Sequence, residues 1–277
     1  MKDSREEWFD AGKKVAVTIV DVTSAAQELA RGHLAGPTST HFLTEALASV
    51  ALLGGEMSET DETVILQMKC KGPLGGFNVE CTSEGTLRGY AEKKVLDDFD
   101  GLGKPDARKV IGEAQYQVTR SVPGRILSQG ISTSIDGCLT DSLQRKAYIR
   151  TEIAVSDEVE VLEARGVMVE ILPDNKLGSL GSEGSLGSEG LKDPLLPLLD
   201  SKDPLSLSVA SRSILKQLGL ENAELRKTTP LKFACRCSPD RAIAMLAALS
   251  DEERRSLPPS VDITCHMCGK TFTVKTK

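Results

Sequence analysis

The chain has 277 residues, longer than one average domain and shorter than three, so we expect two folded units. Apolar residues make up 40% and charged residues 27%, as in a soluble globular protein that buries a core. The net charge of −6 argues against a dedicated nucleic-acid-binding protein, which normally carries a basic surface, although a local basic patch is compatible with it. We therefore expect no nucleic-acid partner.

The N-terminal segment and the distribution of apolar residues bear on the compartment. No run approaches the ~18 apolar residues of a membrane span, so we expect no membrane partner. The first residues, Met-Lys-Asp-Ser-Arg-Glu-Glu-Trp, lack the basic-then-apolar order of a secretory signal, which predicts a cytoplasmic protein. In such a reducing compartment the seven cysteines are expected to be thiols or metal ligands rather than structural disulfides.

The first elements in chain order are a strand and two helices. Residues 15–20 form a β-branched run that is typical of a buried strand. Residues 25–31 follow as a short helix that Thr23 or Ser24 could cap. Pro37 begins a second helix, in which apolar residues recur at helical spacing up to Gly54-Gly55, where the helix is expected to end.

From residue 63 onward the apolar pattern changes to the period of two that indicates strands. Predicted strands cover residues 63–71, 77–82, 87–93, 112–121, 125–132, 158–162 and 167–172, and residues 140–148 are predicted as a helical turn. Gly72-Pro-Leu-Gly-Gly76 suits a hairpin connection, since it lacks the lysine and the following helix of a phosphate-binding loop. Strands that follow strands predict an antiparallel-rich α+β core domain over residues 1–173.

The composition changes at Asp174. Gly178-Ser-Leu-Gly-Ser-Glu183 is repeated at once as Gly184-Ser-Leu-Gly-Ser-Glu189. A segment this rich in Gly and Ser supports neither helix nor strand, so residues 174–230 are predicted to form a flexible linker. From Ser206 apolar residues return at helical spacing, which predicts a marginal helical segment within that linker.

Four of the seven cysteines form two close pairs in the tail. Cys235-Arg-Cys237 is separated by 27 residues from Cys265-His-Met-Cys268. Zinc prefers four soft ligands in a tetrahedron, and a Cys-x-x-Cys pair followed by a glycine can wrap one edge of it. We therefore predict a small C-terminal zinc-binding domain over residues 231–277 with Cys235, Cys237, Cys265 and Cys268 as its ligands.

The stretch between the two cysteine pairs is predicted to be structured. Ser238 and Pro239 form a cap and first-turn signal for a helix, and Ser250-Asp-Glu-Glu253 has capping-box order for another. The whole segment is short for an independent core, so metal binding is expected to supply much of its folding free energy.

Other interpretations of the four cysteines remain open at this point. The pairs could be buried thiols without a metal, the zinc could be purely structural, or the site could be redox-active. His266 could replace one cysteine as a ligand, but with four thiolates available it is more simply a bystander.

The remaining cysteines and histidines give no sign of a catalytic site. Cys70, Cys81 and Cys138 lie in or beside predicted strands and are expected to be small core residues. Of the three histidines, neither His33 nor His41 has a recognisable catalytic context. We therefore expect a protein that is not an enzyme.

The cysteine order resembles that of the heat-shock protein 33 family of redox-regulated holdase chaperones. Phe233-Ala-Cys-Arg-Cys-Ser238 and Thr264-Cys-His-Met-Cys-Gly-Lys270 are similar to that family's two zinc knuckles. Upstream, Gly72-Pro-Leu-Gly-Gly76 followed by Leu87-Arg-Gly-Tyr90 resembles its core hairpins. The Gly/Ser repeat departs from the charged helical linker that members usually carry.

The resemblance implies a thiol switch. In the reduced state the four thiolates would hold zinc and keep the C-terminal domain folded. Peroxide with heat, or hypochlorous acid, would form the disulfides Cys265–Cys268 and Cys235–Cys237 and release the zinc. The freed linker and domain would expose apolar surface that captures unfolding client proteins without ATP, and the resemblance implies a homodimer in the oxidised, active state.

Two other functions are compatible with the cysteine pattern. One is a structural zinc module that acts as an adaptor or contacts nucleic acid; residues 231–277 carry eight Lys and Arg against five Asp and Glu. Phe233 and Phe272 are the only aromatic residues there, too few for a base-stacking surface. The other is a thiol-disulfide oxidoreductase, which normally has a βαβ context around its Cys-x-x-Cys motif.

Overall fold

The computed structural model describes residues 2–142, 144, 146–172 and 205–276. Its strands are β1 (Ser4–Asp10), β2 (Val15–Asp21), β3 (Thr63–Cys70), β4 (Gly76–Thr82), β5 (Thr86–Ala91), β6 (Ala114–Val122), β7 (Arg125–Ser132), β8 (Lys146–Val155), β9 (Val161–Ile171), β10 (Glu224–Pro230), β11 (Lys232–Phe233), β12 (Ser260–Thr264) and β13 (Thr271–Lys275). Its helices are α1 (Thr23–His33), α2 (Pro37–Leu53), α3 (Ala107–Val110), α4 (Ile135–Gly137), α5 (Ser211–Gln217), α6 (Pro239–Ala247) and α7 (Asp251–Ser256). The Gly/Ser repeat at 178–189, which was predicted to be a flexible linker, lies outside the described residues.

The first sheet has the strand order β10-β1-β2-β9-β8, with every neighbouring pair antiparallel. Its central strand β2 is the predicted β-branched run, and most of its residues are buried. Side chains of this type pack well on a pleated sheet that is covered on both faces. The mixed α+β class with antiparallel sheets is therefore confirmed.

The second sheet has the order β11-β5-β4-β3-β6-β7 and is antiparallel except for β11, which runs parallel to β5. The predicted hairpin connection between β3 and β4 is confirmed, with the Cys70 amide donating to the Gly75 carbonyl oxygen at 3.1 Å. Gly76 has a φ of 148°, and a Cβ there would lie 2.2 Å from the Met68 carbonyl oxygen. This connection therefore requires glycine.

Helix α2 packs against strands of both sheets and is buried on nearly all sides. A helix that is apolar all round is stable only inside a core. Its start at Pro37 and its end before Gly54 are as predicted. Helix α1, which packs beside it, is longer than the predicted range of 25–31.

Residues 205–230, which the prediction assigned to the linker, lie on the first sheet. Apolar side chains of this segment pack on the sheet face opposite α2, among them Leu207, Ile214, Leu215 and Leu218. The sheet contributes Trp8, Val17, Ile19 and Val169 to the same apolar cluster. Strand β10 pairs with β1 and extends the same sheet. The linker boundaries remain a prediction, and the structure adds that the last part of the predicted linker packs on the core.

Two predictions in the core were wrong. Residues 158–160 form a turn between β8 and β9, because the Ser156 hydroxyl accepts from the Glu158 and Glu160 amides, both at 3.2 Å, and Val159 has a φ of 64°. A helical turn was also predicted over 140–148. The structure instead has a π-helical turn earlier in the chain, Cys138–Ser142, and strand β8 begins at Lys146. Strand β1 and the edge strand β10 were not predicted.

The C-terminal residues form two short helices and a hairpin. The Ser238 hydroxyl accepts from the Arg241 amide at 3.2 Å and caps α6. The predicted capping box of α7 is present, since the Ser250 hydroxyl accepts from the Glu253 amide and the Glu253 carboxylate accepts from the Ser250 amide. The hairpin of β12 and β13 was not predicted. Within the described ranges, no helix is long and apolar enough to span a bilayer.

Candidate metal centre

The second cysteine pair lies at the tip of the hairpin formed by β12 and β13. The amides of Cys268 and Gly269 donate to the Cys265 carbonyl oxygen at 3.4 and 2.9 Å. The Cys265 amide donates in turn to the Lys270 carbonyl oxygen at 2.9 Å. Gly269 has a φ of 71°, in the left-handed region that glycine adopts without strain. The turn therefore needs a glycine directly after Cys268, as the sequence has.

The first cysteine pair follows directly on the core sheet. Strand β11 pairs with β5, and the Ala234 amide donates to the Leu87 carbonyl oxygen at 3.0 Å. The next residue is Cys235, and α6 begins shortly after Cys237. The edge of the second sheet and the capped start of α6 thus hold this pair from both sides.

The two pairs meet in one cluster. The Sγ atoms of Cys235 and Cys265 lie 3.7 Å apart, and those of Cys237 and Cys268 lie 3.4 Å apart. All four sulfur atoms lie within 4.8 Å of one another. A tetrahedral site with zinc–sulfur distances of about 2.3 Å has sulfur–sulfur separations of about 3.8 Å. The donor set and its spacing therefore fit a single soft metal ion.

The pKa of Cys235 is shifted in the opposite direction from those of Cys237 and Cys268. Burial raises the pKa of Cys235, but hydrogen bonds from the Cys237 amide, from the Arg88 guanidinium and from neighbouring thiols outweigh it and lower that pKa to about 7. Burial raises the pKa of Cys237 and of Cys268. A second thiolate beside the first is unfavourable in this partly buried site, so a bound cation would allow all four sulfurs to be charged.

A core arginine takes part in the site, and the sequence reasoning missed it. The Nη1 atom of Arg88 donates to Sγ of Cys235 at 3.8 Å. The Nε atom of Arg88 donates to Glu80, and Nη2 of Arg236 lies 2.9 Å from Oε1 of the same carboxylate. Glu80 and Arg88 are direct partners in the pairing of β4 with β5, so they share a face of the sheet. Residue spacing alone does not reveal such a cross-strand pair.

The second cysteine pair is seated on the core. The Gly89 amide of β5 donates to the Met267 carbonyl oxygen at 3.2 Å. The Gly89 carbonyl oxygen lies 2.8 Å from Nε2 of His33, a buried residue at the end of α1. The cluster is therefore in contact with β5 through both cysteine pairs.

The other cysteines and His266 lie outside the cluster. Cys81 and Cys138 are fully buried, and burial raises the pKa of Cys81 to about 11. Cys70 is half-buried against the same core, so these three cysteines are core residues as predicted. The His266 ring contacts Tyr90 edge to face at a centroid distance of 5.8 Å.

Comparison with known proteins identifies the fold and the family. A family model described as "Hsp33 protein" matches residues 7–275. The chain belongs to the Hsp33 family. The match spans the core and the cysteine cluster alike, so the resemblance carried by the cysteine motifs is confirmed over nearly the whole chain.

Individual Hsp33 relatives agree with the family match. The chain is 29% identical to the 33 kDa chaperonin of Thermus thermophilus, over 94% of this chain and 81% of the relative. It is 27% identical to the 33 kDa chaperonin of Symbiobacterium thermophilum, over 98% and 94%. The crystal structure of a 33 kDa chaperonin from Thermotoga maritima, 18% identical, aligns with a TM-score of 0.81 over 100% of this chain and 96% of that one. The chain therefore has the Hsp33 fold, and the name of its relatives describes a chaperone.

Proposed function

We propose that this chain is a redox-regulated, ATP-independent holdase that protects unfolding proteins from aggregation during oxidative stress. The observation that carries the proposal is the cluster of four cysteine sulfurs in a member of the Hsp33 family. We assign zinc to the cluster, because four thiolates at this spacing are the donor set of a zinc site. The ligands would be Cys235, Cys237, Cys265 and Cys268, and a bound zinc ion would keep them deprotonated.

Oxidation of the cysteines removes those ligands. A thiolate attacks one oxygen of a peroxide, the O–O bond breaks, and the cysteine becomes a sulfenic acid while hydroxide leaves. A second thiolate attacks the sulfenic sulfur, forms the S–S bond and expels another hydroxide. Two electrons pass to each peroxide, and two protons from solvent convert the hydroxides to water. We propose the pairs Cys265–Cys268 and Cys235–Cys237, after which no thiolate remains to hold the metal.

The C-terminal module, residues 231–277, depends on its metal for stability. In α6, Ala242 is the one residue that is buried, while Ile243 and Met245 are 51% and 63% exposed. A module of this size with so few buried apolar side chains gains little free energy from packing. Loss of the metal ligands should therefore unfold it.

Unfolding of the module would loosen the segment that precedes it. Residues 205–223 cover an apolar face of the first sheet that includes Trp8, Val17 and Val169. We propose the division into a core (1–173), a linker (174–230) and the module, with the uncovered face binding unfolding client proteins. We further propose that the protein acts in the cytoplasm and that its oxidised form is a homodimer.

The proposal is tested on the reduced, zinc-loaded full chain. Hydrogen peroxide at raised temperature should release about one zinc per chain and, in parallel, suppress the aggregation of unfolding citrate synthase without ATP. The double variant Cys265→Ser, Cys268→Ser should lose this linkage, whereas Cys70→Ser should keep it, because Cys70 lies outside the cluster.

Two outcomes would refute the proposal. One is a purified, thiol-protected chain that contains no zinc, and the other is zinc release without any suppression of aggregation. Sedimentation velocity on the same samples tests the dimer, since the sedimentation coefficient should rise on oxidation.

A further inference from the structure

Arg88 reaches the cysteine cluster from outside the C-terminal module. It belongs to β5 of the core, and its Nη1 lies 3.8 Å from Sγ of Cys235, a residue 147 positions later in the chain. The side chain of Arg88 is 16% exposed, and that of Glu80, which its Nε contacts, is 10% exposed. A guanidinium withdrawn from water to this extent needs compensating groups, which here are one carboxylate and one sulfur.

Glu80 fixes the direction of the guanidinium. It is the cross-strand partner of Arg88, and its Oε1 is shared with Arg236, which comes from the module. Two guanidiniums on one carboxylate leave a surplus of positive charge beside the cluster. Four thiolates around one divalent ion leave a surplus of negative charge. The core and the loaded cluster are therefore complementary at this contact.

A hydrogen bond from a cation lowers the energy of a thiolate lone pair. In a loaded cluster every sulfur is already a thiolate, so the bond does not change how many sulfurs are charged. It changes how readily the Cys235 sulfur donates electrons. The nucleophilicity of thiolates falls with their basicity, with a Brønsted coefficient of about 0.4–0.5, so a loss of basicity by a factor of ten slows attack by about threefold.

We propose that Arg88 is a positioning residue of the metal centre, which lowers the electron density on the Cys235 sulfur and slows its attack on peroxide. In that attack the sulfur forms a bond to oxygen, the O–O bond breaks and hydroxide leaves. The same side chain ties Cys235 directly to β5 of the core sheet, and the ion pair with Glu80 holds that side chain in place. The peroxide step rests on the proposed function, whereas the bond between Arg88 and a metal-binding sulfur does not.

The electron density on the sulfurs can be read directly with cobalt(II). In the reduced full chain loaded with cobalt, the sulfur-to-cobalt charge-transfer band moves to longer wavelength when a sulfur lone pair is less stabilised. Arg88→Gln should produce this shift, and Arg88→Lys should return the band toward the wild-type position. Arg226→Gln is the matched control, because Arg226 lies on β10 and, among the described contacts, pairs with Glu224 and stacks on Phe9 but reaches no sulfur.

The second readout is the rate at which peroxide releases the metal. Arg88→Gln should be about threefold faster than wild type, and Arg226→Gln should match wild type. A charge-transfer band that stays in place in Arg88→Gln overturns the proposal, whatever the rate. A shifted band, together with a wild-type chain that peroxide does not strip of metal, supports the Arg88 bond and refutes the proposed function instead.

A variant with a milder change covers the case in which Arg88→Gln does not fold. Glu80→Gln leaves the guanidinium in place but weakens the ion pair that orients it. The band should shift in the same direction by a smaller amount, and an unmoved band in this variant overturns the proposal.

Discussion

Gly269 and Gly32 lie in backbone contact. A Cβ on Gly269 would lie 1.9 Å from the Gly32 carbonyl oxygen, and a Cβ on Gly32 would lie 2.6 Å from the Cys268 carbonyl oxygen. The second cysteine pair is thus packed on the end of α1 with no room for a side chain between them. The position of Cys268 depends on the core as well as on its own hairpin.

Substitution of Gly269 should therefore detach the module from the core. Gly269→Ala places a side chain at a φ of 71°, which costs about 1–2 kcal/mol, and adds a clash with Gly32. Gly124→Ala is the matched control, because Gly124 has a φ of 79° but nothing lies within 4 Å of its Cβ position. Amide hydrogen exchange in β12 and β13 should accelerate in the first variant and stay at the wild-type rate in the second. Equal effects on β12 and β13 would contradict the packing argument.

Leu207 should anchor the segment that covers the first sheet. Its side chain is 1% exposed within the apolar cluster, and its amide donates to Glu152 at 2.7 Å. Leu207→Ala should lower the free energy of unfolding by about 2–5 kcal/mol, through lost burial and the cavity that remains. Val209→Ala, at a position that is 36% exposed, should cost far less. Urea unfolding measures both values, and similar losses would show that the segment is not held by this side chain.

Leu207→Ala should also uncover apolar surface in the reduced protein. Because Trp8 and Val17 lie beneath the same segment, a solvatochromic dye such as ANS should bind more strongly to this variant than to Val209→Ala. Under the proposed function, the variant should suppress client aggregation to some extent before any oxidation. Full dependence on peroxide, with enhanced dye binding, would mean that this face does not bind clients.

Removal of the metal should make the four cysteines of the cluster reactive toward alkylation and leave the core cysteines unreactive. After chelation at pH 8, iodoacetamide should label Cys235, Cys237, Cys265 and Cys268, while Cys81 and Cys138 stay protected. Both core thiols are fully buried, and burial raises their pKa, to about 11 for Cys81. Mass spectrometry of tryptic peptides assigns the labels. Simultaneous labelling of the core cysteines would show that core and module unfold as one unit.

His41 should make the core less stable in acid. Burial, with a smaller effect of the Lys104 charge, lowers its pKa from 6.5 to about 4. The unfolded chain therefore binds a proton that the folded chain excludes, and stability falls as the pH drops from about 6.5 toward 4. His41→Gln should remove this slope, which amounts to on the order of 2 kcal/mol after a discount for partial exposure.

The His41 experiment must be read as a difference between two proteins. Burial raises the pKa of Glu45, one turn along α2, and this acts on stability in the opposite direction as the pH rises above 4.5. Urea unfolding of wild type and His41→Gln at each pH cancels that contribution. A difference that does not change between pH 7 and 4 would show that His41 titrates normally in the folded protein.

The features that the sequence revealed are those that depend on neighbouring residues. The knuckle Cys265–Gly269 and the capping box of Ser250 are each built within a few positions, so their spacing alone predicted them. The structure brings together the four cysteines that this spacing singled out. The ends of helix α2 were also predicted correctly, because Pro37 and Gly54 mark them in the sequence.

The features that escaped prediction depend on partners far away in the chain. Strand β10 is exposed at almost every position and exists because β1 offers it a backbone edge. The approach of Arg88 to Cys235 follows from the register of β4 and β5 and from the parallel pairing of β11. Residues 158–160 show the opposite error, a strand that was predicted but is not formed. Their polar and apolar side chains alternate as in a strand, but the Ser156 hydroxyl accepts backbone hydrogen bonds that close a turn there.

The pairing of β11 with β5 has a mechanical consequence. Phe233 is locked to Leu87 in the sheet and Cys235 is a metal-ligand candidate, so a single residue, Ala234, separates the rigid core from the cluster. Because this connection is one residue long, a rearrangement of Cys235 and Cys237 should also displace β11 at the edge of the sheet. Glycine residues inserted on either side of Ala234 would uncouple the two parts, so that the cysteines could be oxidised without displacing the edge of the core sheet.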